Sequence, residues 1–341
     1  MTTTFHDVID AVMSEFDPHN SSCHEVITLG AESYIALAYD EEGRVYCVKE
    51  IRSALGLLLD WNASRNKALG KRRRKDERRK KERAKIPYRK KADRLKSEYR
   101  IGKLLQLDHG PIVEMHGLQT VKWPSARLGF EIGHDLIMEY IPGHDLGEKK
   151  VTRSLTFEQK LDSFYQTTIA LGYMHEHGFV HLDMKPSNVM WTDGRVRLID
   201  FGVSVSKHVE LSKIRGTSGF MAPEQMTKGV VDERTDVFGL GVTFNVVFGG
   251  HSLKQRLRKS RHSDRMNIKG NNMDHDRSLI DPATEIQQVP KLLDLVQRCT
   301  IPKRSDRVPN TAVVAQALRE IAEEHDVALT DPLTASTAED A

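Results

Sequence analysis

The chain has 341 residues, of which 39% are hydrophobic and 29% are charged. This composition is ordinary for a soluble globular protein, and the length suffices for a sizeable core in one domain of two lobes or in two domains. The start, MTTTFHDVIDAVMSEF, lacks a basic region followed by an apolar run, and no apolar stretch reaches membrane-spanning length. We therefore expect an intracellular protein, cytoplasmic or nuclear, without a signal peptide or a membrane partner.

The cysteines and the charge add two further bounds. Cys23, Cys47 and Cys299 are far apart and match no metal-ligand spacing, which suits a reducing compartment without structural disulfides. The net charge of +3 conceals a basic segment, Lys71 to Lys85, with eleven basic and three acidic residues. Such a segment suits an acidic or nucleic-acid partner or a nuclear import receptor, and its plainer interpretation is a solvated, partly helical insertion.

Strand-like segments dominate the first part of the chain. EVITLG, SYIALAYD and RVYCVKEI predict three antiparallel strands. A polar, mostly helical stretch runs from Arg52 to Ala92, and the apolar spacing from Asp93 to His109 predicts a helix with one buried stripe. IVEMHGLQTV and HDLIMEYI predict two more strands, and a lobe boundary is placed at Ile141 to His144.

Helices are predicted for most of the second part: Phe157 to Gly178, Arg234 to Val247, Pro290 to Cys299 and Thr311 to Glu324. The polar stretch from His251 to Gln288 has no clear assignment. The expected organisation is an N-terminal extension over residues 1–22, a first lobe over 23–141 with the basic insertion at about 52–92, a second lobe over 142–325, and a disordered tail over 326–341.

A short hairpin is predicted near the middle of the chain. Val189 to Trp191 and Val196 to Ile199 are rich in β-formers, and the Asp-Gly pair between them suits a two-residue turn with positive φ. Pairing across that turn puts Asn188 next to Asp200.

The side chains around this hairpin indicate metal and phosphate chemistry. Asn188 and Asp200 offer hard oxygen ligands of the kind that Mg²⁺ takes when it also binds phosphates. Upstream, Asp183 and Lys185 lie two residues apart in a loop that Pro186 keeps out of helix, so both can face one way. The carboxylate can accept a hydroxyl proton while the lysine neutralises phosphate charge. The plainer interpretation of any one of these groups is a solvated surface side chain.

Three ordered motifs resemble those of eukaryotic-type protein kinases, most closely the serine/threonine class. HLDMKPSN (His181 to Asn188) resembles the catalytic loop, DFG (Asp200 to Gly202) the metal-binding motif, and GTSGFMAPE (Gly216 to Glu224) the end of the activation segment. The resemblance covers roughly Ile27 to Ile321. It implies an α+β, two-lobed protein-kinase fold, with an antiparallel sheet plus a helix in the N-lobe and a mainly helical C-lobe.

The resemblance implies a role for each residue of these motifs. Asp183 is expected to orient the acceptor hydroxyl and take its proton, and Lys185 to stabilise the transferring γ-phosphate of ATP. Asn188 and Asp200 are expected to hold Mg²⁺, with Mn²⁺ as an alternative. Thr217 resembles the threonine that bonds the catalytic aspartate and lysine. The implied acceptor is a hydroxyl of a protein substrate that no motif identifies.

In the N-lobe, VYCVKE resembles the strand whose lysine clamps the α- and β-phosphates, which assigns that role to Lys49. Glu98 is expected to be its carboxylate partner; the alternative is an exposed helical glutamate. Gly102, one turn later, departs from the bulky apolar residue that is usual in the family. The nucleotide-covering loop departs further, because only one of its three expected glycines is present.

That remaining glycine is Gly30, and Glu32 and Ile35 occupy the other two positions. Glycine lets backbone N–H groups approach phosphates, whereas Glu32 adds a like charge, so weaker nucleotide affinity is expected. The resemblance assigns further residues to the nucleotide: Leu29, Leu37 and Cys47 for the roof of the adenine pocket, Met190 for its floor, Met138 as gatekeeper, Glu139 and Ile141 for backbone contacts to adenine, and Asp145 for the ribose hydroxyls.

Other residues are given structural or regulatory interpretations. Glu224 is expected to pair with Arg307, and Asp236 to hold the backbone of the catalytic loop. Leu182 stands where many members carry an arginine that binds a phosphate on the activation segment, and leucine cannot bind that phosphate. Activity is therefore expected to depend little on phosphorylation of the serines in this segment. These are Ser204, Ser206, Ser212 and Ser218.

Two alternatives to an active protein kinase stay open. A pseudokinase or scaffold with weak nucleotide binding is motivated by Glu32, Ile35 and Gly102. A small-molecule phosphotransferase of kinase-like fold would share the catalytic loop, but such enzymes generally lack the GT...APE segment.

Overall fold

A computed structural model of the chain describes residues 24–29, 33–40, 42–53, 87–107, 110–122, 131–259 and 278–334. The chain divides into two compact units. The first unit comprises Met1–Leu104 and Glu114–Ile141, and the second comprises Leu105–Val113 and Pro142–Ala341.

The first unit contains an antiparallel sheet and a helix. Its strands are β1 (His24–Leu29), β2 (Tyr34–Tyr39), β3 (Val45–Arg52), β4 (Met115–Lys122) and β5 (Glu131–Glu139). They lie in the order β1-β2-β3-β5-β4, and each neighbouring pair is antiparallel. The antiparallel arrangement predicted for the first three strands is confirmed.

The helix of the first unit, α1, spans Tyr88–Leu104, whereas the apolar spacing predicts a helix from Asp93 to His109 after a mostly helical stretch that ends at Ala92. It begins earlier because Pro87 precedes it; proline suits the start of a helix, and its carbonyl accepts the N–H of Lys90 at 3.0 Å. The buried side of α1 carries Leu95, Glu98 and Ile101.

The second unit is mainly helical, which confirms the predicted α+β class. Its helices are α2 (Lys149–Ser154), α3 (Phe157–Glu176), α4 (Pro223–Thr227), α5 (Glu233–Val247), α6 (Leu253–Lys259), α7 (Thr284–Gln287), α8 (Pro290–Cys299) and α9 (Thr311–Glu324). Its strands are short: β6 (His144–Asp145), β7 (Phe179–Val180), β8 (Val189–Thr192), β9 (Arg195–Leu198), β10 (Val205–Ser206), β11 (Val209–Glu210) and β12 (Val230–Val231).

The long helix α3 begins at a capping box. Thr156 Oγ1 accepts the N–H of Gln159 at 3.3 Å, and Gln159 Oε1 accepts the N–H of Thr156 at 3.0 Å. In the core, Phe164 of α3 stacks on Phe244 of α5 with ring centroids 4.3 Å apart, a contact that contributes about 0.5–1.5 kcal/mol beyond burial.

Helix α3 also holds the β8–β9 hairpin. The buried side chain of Gln166 donates from Nε2 to the carbonyl of Gly194 at 2.6 Å, and its Oε1 accepts the N–H of Val196 at 3.0 Å. Because the core fixes α3, these two hydrogen bonds fix the tip of the hairpin.

The end of the chain differs from the expected tail. Val327 is buried, and the N–H of Thr330 donates to Asp162 at 2.7 Å, so the packed part of the chain continues past residue 326. Several predictions lie outside the described residues: the N-terminal extension over 1–22, the basic segment over 71–85, Gly30, Glu32 and the middle of the 251–288 stretch. No helix in the described ranges is both long enough and apolar enough to cross a bilayer.

Candidate active site

The β8–β9 hairpin forms in the register that the sequence predicts. Asp193 and Gly194 have φ of 46° and 82°, the left-handed values that a two-residue turn of this kind requires. Beyond the last strand pair, the N–H of Ile199 donates to the carbonyl of Asn188 at 3.1 Å. The pairing therefore brings the backbone of Asn188 beside the residue that precedes Asp200.

Asp183 in the catalytic loop is part of a hydrogen-bonded network with three other residues. Lys185 Nζ lies 2.6 Å from Asp183 Oδ2 and also donates to Thr217 Oγ1 at 3.2 Å. Asn188 Nδ2 donates to the backbone carbonyl of Asp183 at 2.8 Å. The structure thus brings together the four residues that the sequence analysis assigns to catalysis.

One oxygen of Asp183 stands apart from this network. Among the residues that the structure describes, Asp183 Oδ1 has no hydrogen-bond partner, although it is buried. A buried oxygen without a partner is costly unless a ligand completes it. Asp183 Oδ1 is therefore suited to accept a hydrogen bond from a bound hydroxyl group.

The backbone of the catalytic loop is anchored by Asp236 on α5. Its carboxylate accepts the N–H of His181 at 2.6 Å and the N–H of Leu182 at 2.8 Å, and His175 Nε2 lies 2.9 Å from Oδ2. Burial opposes ionisation of Asp236, but the hydrogen bond and charge of His175 outweigh it and hold the pKa of Asp236 below its ordinary value. No sequence pattern had singled out His175.

Leu182 combines a left-handed backbone with a buried side chain. Its φ is 65°, and its side chain packs in an apolar cluster with Val180, Leu211 and Val231. Leu211 follows β11 and Val231 lies in β12, so this position contacts the activation segment through apolar packing, where the family's arginine would contact a phosphate.

Glu224 and Arg307 form the expected link within the second unit. Arg307 donates to the two carboxylate oxygens of Glu224 at 2.8 and 3.2 Å. The guanidinium also lies 4.9 Å from the ring centroid of Phe238. Because the side chain of Arg307 is fully buried, this pair is a structural connection.

In the first unit, Lys49 of β3 meets Glu98 of α1. Lys49 Nζ lies 2.9 and 2.8 Å from the two carboxylate oxygens of Glu98. Glu98 is only 2% exposed, which excludes the alternative of a solvated helical glutamate. This pair has the geometry expected of a lysine held in place for a phosphate.

The residues assigned to the adenine pocket include a row across the sheet. Cys47 of β3 pairs with Leu37 of β2 on one side and with Met138 of β5 on the other, so all three side chains project from one face. Burial raises the pKa of the Cys47 thiol to about 11. The backbone N–H of Glu139 donates to Glu114 at 2.9 Å, so this N–H is not free for a ligand.

The other assigned residues are divided between the two units. Leu29 ends β1 and Ile141 ends the first unit. In the second unit, Asp145 of β6 pairs with Met190 of β8. The N–H of Gly147 donates to Asp145 Oδ1 at 2.8 Å, whereas burial outweighs this bond and raises the pKa of Asp145.

The donor set of the hairpin fits a magnesium ion that is shared with phosphates. Asn188 uses its Nδ2 to contact Asp183, which leaves Oδ1 as the ligand atom. In the described ranges, no group of three or more His, Cys, Asp or Glu residues is arranged to hold a metal. One or two protein oxygens are enough for Mg²⁺ when phosphates and waters complete the shell.

The chain belongs to the protein kinase domain family, whose model matches residues 63–318. The relatives that it matches include serine/threonine-protein kinases. Serine/threonine-protein kinase 17A of Oryctolagus cuniculus is 28% identical over 181 residues, which are 50% of this chain and 44% of that protein. A probable cAMP-dependent protein kinase catalytic subunit of Encephalitozoon cuniculi is 38% identical over 112 residues, 31% of this chain and 34% of that protein.

Serine/threonine-protein kinase PknB of Mycobacterium tuberculosis is 28% identical over 152 residues, which are 42% of this chain and 24% of that protein. The chain thus spans less than half the length of each of these three relatives.

Proposed function

We propose that the chain is an active serine/threonine protein kinase that transfers the γ-phosphate of MgATP to a hydroxyl group of a protein. The observation that supports this most directly is the state of Asp183. Lys185 holds one of its oxygens, and the other is buried without a partner among the described residues. A buried carboxylate oxygen without a protein partner can accept the hydrogen bond of a substrate hydroxyl group.

In the proposed reaction, Asp183 Oδ1 accepts the hydrogen bond of the substrate hydroxyl and takes its proton. The hydroxyl oxygen forms a bond to the γ-phosphorus while the bond to the β–γ bridging oxygen breaks. Lys185 stabilises the negative charge on the transferring group, and Thr217 keeps Lys185 beside Asp183.

The metal and the other phosphates are assigned to separate residues. Asn188 and Asp200 would hold Mg²⁺, or Mn²⁺ in its place, and the ion would supply neutralisation of phosphate charge. Lys49, oriented by Glu98, is proposed to bind the α- and β-phosphates. The row of Leu37, Cys47 and Met138, together with the other residues assigned from the family resemblance, is proposed for adenine and ribose.

The test is phosphate transfer from labelled ATP to casein, comparing wild type with Asp183→Asn and Asp200→Asn. Removing a general base lowers kcat by roughly 10²–10⁴-fold, and we expect a loss in that range for Asp183→Asn. Asp200→Asn should also lose activity, because it removes a proposed Mg²⁺ ligand. Asp294→Asn is the matched control, because Asp294 is exposed and, among the residues that the structure describes, forms its ion pair with Arg298 on the surface of α8. Folded wild type that never consumes ATP with either Mg²⁺ or Mn²⁺ would refute the proposal.

The second candidate is a pseudokinase or scaffold. Ile35, which replaces a glycine of the family's loop, lies directly opposite Lys49 in the β2–β3 pair. A branched side chain at this position argues for weak phosphate binding. Thermal unfolding with ATP, with and without Mg²⁺, separates the two. A kinase gains stability that Asp200→Asn reduces, and a pseudokinase or scaffold with weak nucleotide binding gains little in either condition.

The basic segment Lys71–Lys85 is proposed to contact an acidic or nucleic-acid partner, with a cytoplasmic or nuclear location of the protein. Its eleven basic residues support this. Deleting residues 71–85 should weaken retention on heparin and change the distribution of a fluorescent fusion between cytoplasm and nucleus. Identical retention and distribution would contradict this assignment.

A further inference from the structure

The side chain of Gln225 joins the catalytic loop to the end of the activation segment. Its Nε2 donates to the carbonyl of Leu182 at 2.7 Å and to the carbonyl of Arg215 at 3.0 Å. Its Oε1 accepts the N–H of Ala222 at 2.9 Å. The residue is 2% exposed, so both amide hydrogens are used in a buried environment.

The two carbonyls belong to the chain segments that carry the reactive residues. Leu182 immediately precedes Asp183, and Arg215 lies two residues before Thr217. Gly216, between Arg215 and Thr217, has φ of 108°. A Cβ atom there would lie 2.5 Å from the carbonyl oxygen of Leu182 and 2.9 Å from Gln225 Nε2. The two segments therefore approach so closely that only glycine fits at position 216. The side chain of Gln225 connects them through its two hydrogen bonds.

We propose that Gln225 is a positioning residue that sets Thr217 against Asp183 and Lys185, an inference that rests on the proposed kinase function. Only a donor satisfies two carbonyl oxygens. A carboxylate of the same shape would repel both, and an apolar side chain would remove both of these hydrogen bonds.

The hydrogen bonds of Gln225 connect the catalytic loop to the activation segment without a phosphate group. Around it, the activation segment is held by Lys207, which pairs with Glu233 at 2.6 Å, and by Leu211, which packs on Leu182 in the apolar cluster. These contacts and the amide of Gln225 fix the two ends of the segment to the second unit. In this proposal, these contacts hold Thr217 in position without phosphorylation.

Gln225 also lies in the first turn of α4, where its Oε1 contacts Ala222. A role in starting this helix would be performed equally well by glutamate, because Glu and Gln are interchangeable at that position of a capping box. Gln159 supplies the matched control: its Oε1 accepts the N–H of Thr156 in the same way, and it is exposed. The same Gln→Glu change thus separates the two roles.

The experiment compares Gln225→Glu, Gln225→Met and Gln159→Glu by steady-state kinetics with casein. We expect both Gln225 variants to lose roughly tenfold to a hundredfold in kcat, the range that leaving a buried hydrogen-bonding group unpaired would produce. The KM for ATP should stay within about twofold of the wild-type value, because we expect the change to weaken stabilisation of the transition state and not the binding of ATP. Gln159→Glu should match wild type.

A double-mutant cycle tests whether the effect passes through Thr217. In a Thr217→Ala background, Gln225→Met should cause a much smaller further loss of kcat than it does alone. Equal losses in the two backgrounds would overturn the inference, because a merely structural role does not depend on Thr217.

Hydrogen exchange gives a readout that does not depend on activity. Peptides covering residues 211–220 should exchange faster in Gln225→Met than in wild type and in Gln159→Glu. If the wild type transfers no phosphate, the proposed function fails, and unchanged exchange in this segment would separately overturn the positioning role. Active Gln225→Glu and Gln225→Met variants with wild-type kcat would overturn it while leaving the kinase function intact.

Discussion

Gly102 is the residue whose departure from the family pattern has a direct structural explanation. A Cβ atom on Gly102 would lie 2.5 Å from Cγ and 2.6 Å from Cε of Met115, which is fully buried in β4. The methionine from the sheet therefore fills the space that a bulky helical residue usually occupies. Because Glu98, one turn earlier, is buried on the same helix and pairs with Lys49, this departure does not weaken the lysine–glutamate pair.

Gly102→Leu should lower the free energy of unfolding by about 1–3 kcal/mol, the usual penalty for overpacking. Adding Met115→Ala to Gly102→Leu should recover part of that loss, since the alanine vacates the space. Urea denaturation of the two single variants and the double variant measures the coupling. Strictly additive losses would contradict the complementary packing of positions 102 and 115.

Cys47 is expected to react slowly with thiol reagents. Burial raises its pKa to about 11, above the ordinary value of 9.0, so the reactive thiolate is scarcer at neutral pH than in a free cysteine. Labelling with iodoacetamide, followed by peptide mass spectrometry, should be about a hundredfold slower at pH 7.5 than for a free thiol and should accelerate toward pH 11. Denatured protein is the control, and rapid labelling of the folded chain would contradict the burial of the thiol.

Among the elements, the β8–β9 hairpin determines where the proposed magnesium ligands lie. Its turn depends on Gly194, whose φ is 82°. Apart from its two chain neighbours, no atom in the described part of the chain lies within 4 Å of a Cβ placed on Gly194, so a substitution there is penalised through the backbone conformation. The tip of the hairpin is held from the other side by Gln166 of α3.

Gly194→Ala should lower the free energy of unfolding by about 1–2 kcal/mol, the penalty for an L-residue in the left-handed region. Gly229→Ala is the matched control, because its φ is not in that region and its Cβ would meet only ordinary contacts from 3.6 Å outward. Equal urea midpoints for the two variants would show that the turn tolerates a side chain.

Asp236 makes the catalytic loop sensitive to acid. Its pKa is lowered in the folded state, so it stabilises the fold above the unfolded value of about 3.8, and this contribution is lost as pH falls through the lower folded value. Asp236→Asn should lower stability at pH 7 by about 2–3 kcal/mol, since hydrogen bonds to a charged acceptor are lost. The difference from wild type should narrow below pH 4 in urea titrations, and a constant difference would contradict a charged Asp236.

For the whole molecule, the proposed regulation follows from how the activation segment is held. Leu182 packs with Leu211 and Val231, and Gln225 ties Arg215 to the catalytic loop. Ser204 is buried and donates to the carbonyl of His181 at 3.2 Å, which makes it a structural residue.

Replacing the exposed serines Ser206, Ser212 and Ser218 together with alanine should leave kcat within about twofold of wild type. The reason is that position 182 is a leucine, which cannot bind a phosphate on the activation segment as an arginine would. Ser204→Ala is tested separately, since it removes a buried hydrogen bond. The measurement is the kcat of the triple variant compared with that of wild type in its phosphorylated and unphosphorylated forms, each identified by intact mass. A large loss of kcat in the triple variant would show that phosphorylation of these serines controls the enzyme.

Residue patterns close together in the sequence predicted local structure well. The hairpin register, helices α8 and α9 and the antiparallel start of the first unit depend on alternation, turn residues and helical spacing over short stretches. The bounds of α1 were predicted less well, because the spacing of apolar residues indicates which side of a helix is buried but does not indicate where the helix begins or ends. The link from Gln225 to Leu182 joins positions 43 residues apart, and no local pattern encodes it.

The amino-acid sequence alone determined the family, the ordered motifs and the residue types available for phosphate transfer, because these depend on short spacings and on the chemistry of single side chains. Only the tertiary structure decided which oxygen of Asp183 is buried without a partner among the described residues, that Met115 occupies the space beside Gly102, and that Gln225 connects the end of the activation segment to the catalytic loop. These are contacts between distant segments, and folding fixes them through burial and hydrogen bonding that sequence spacing does not record.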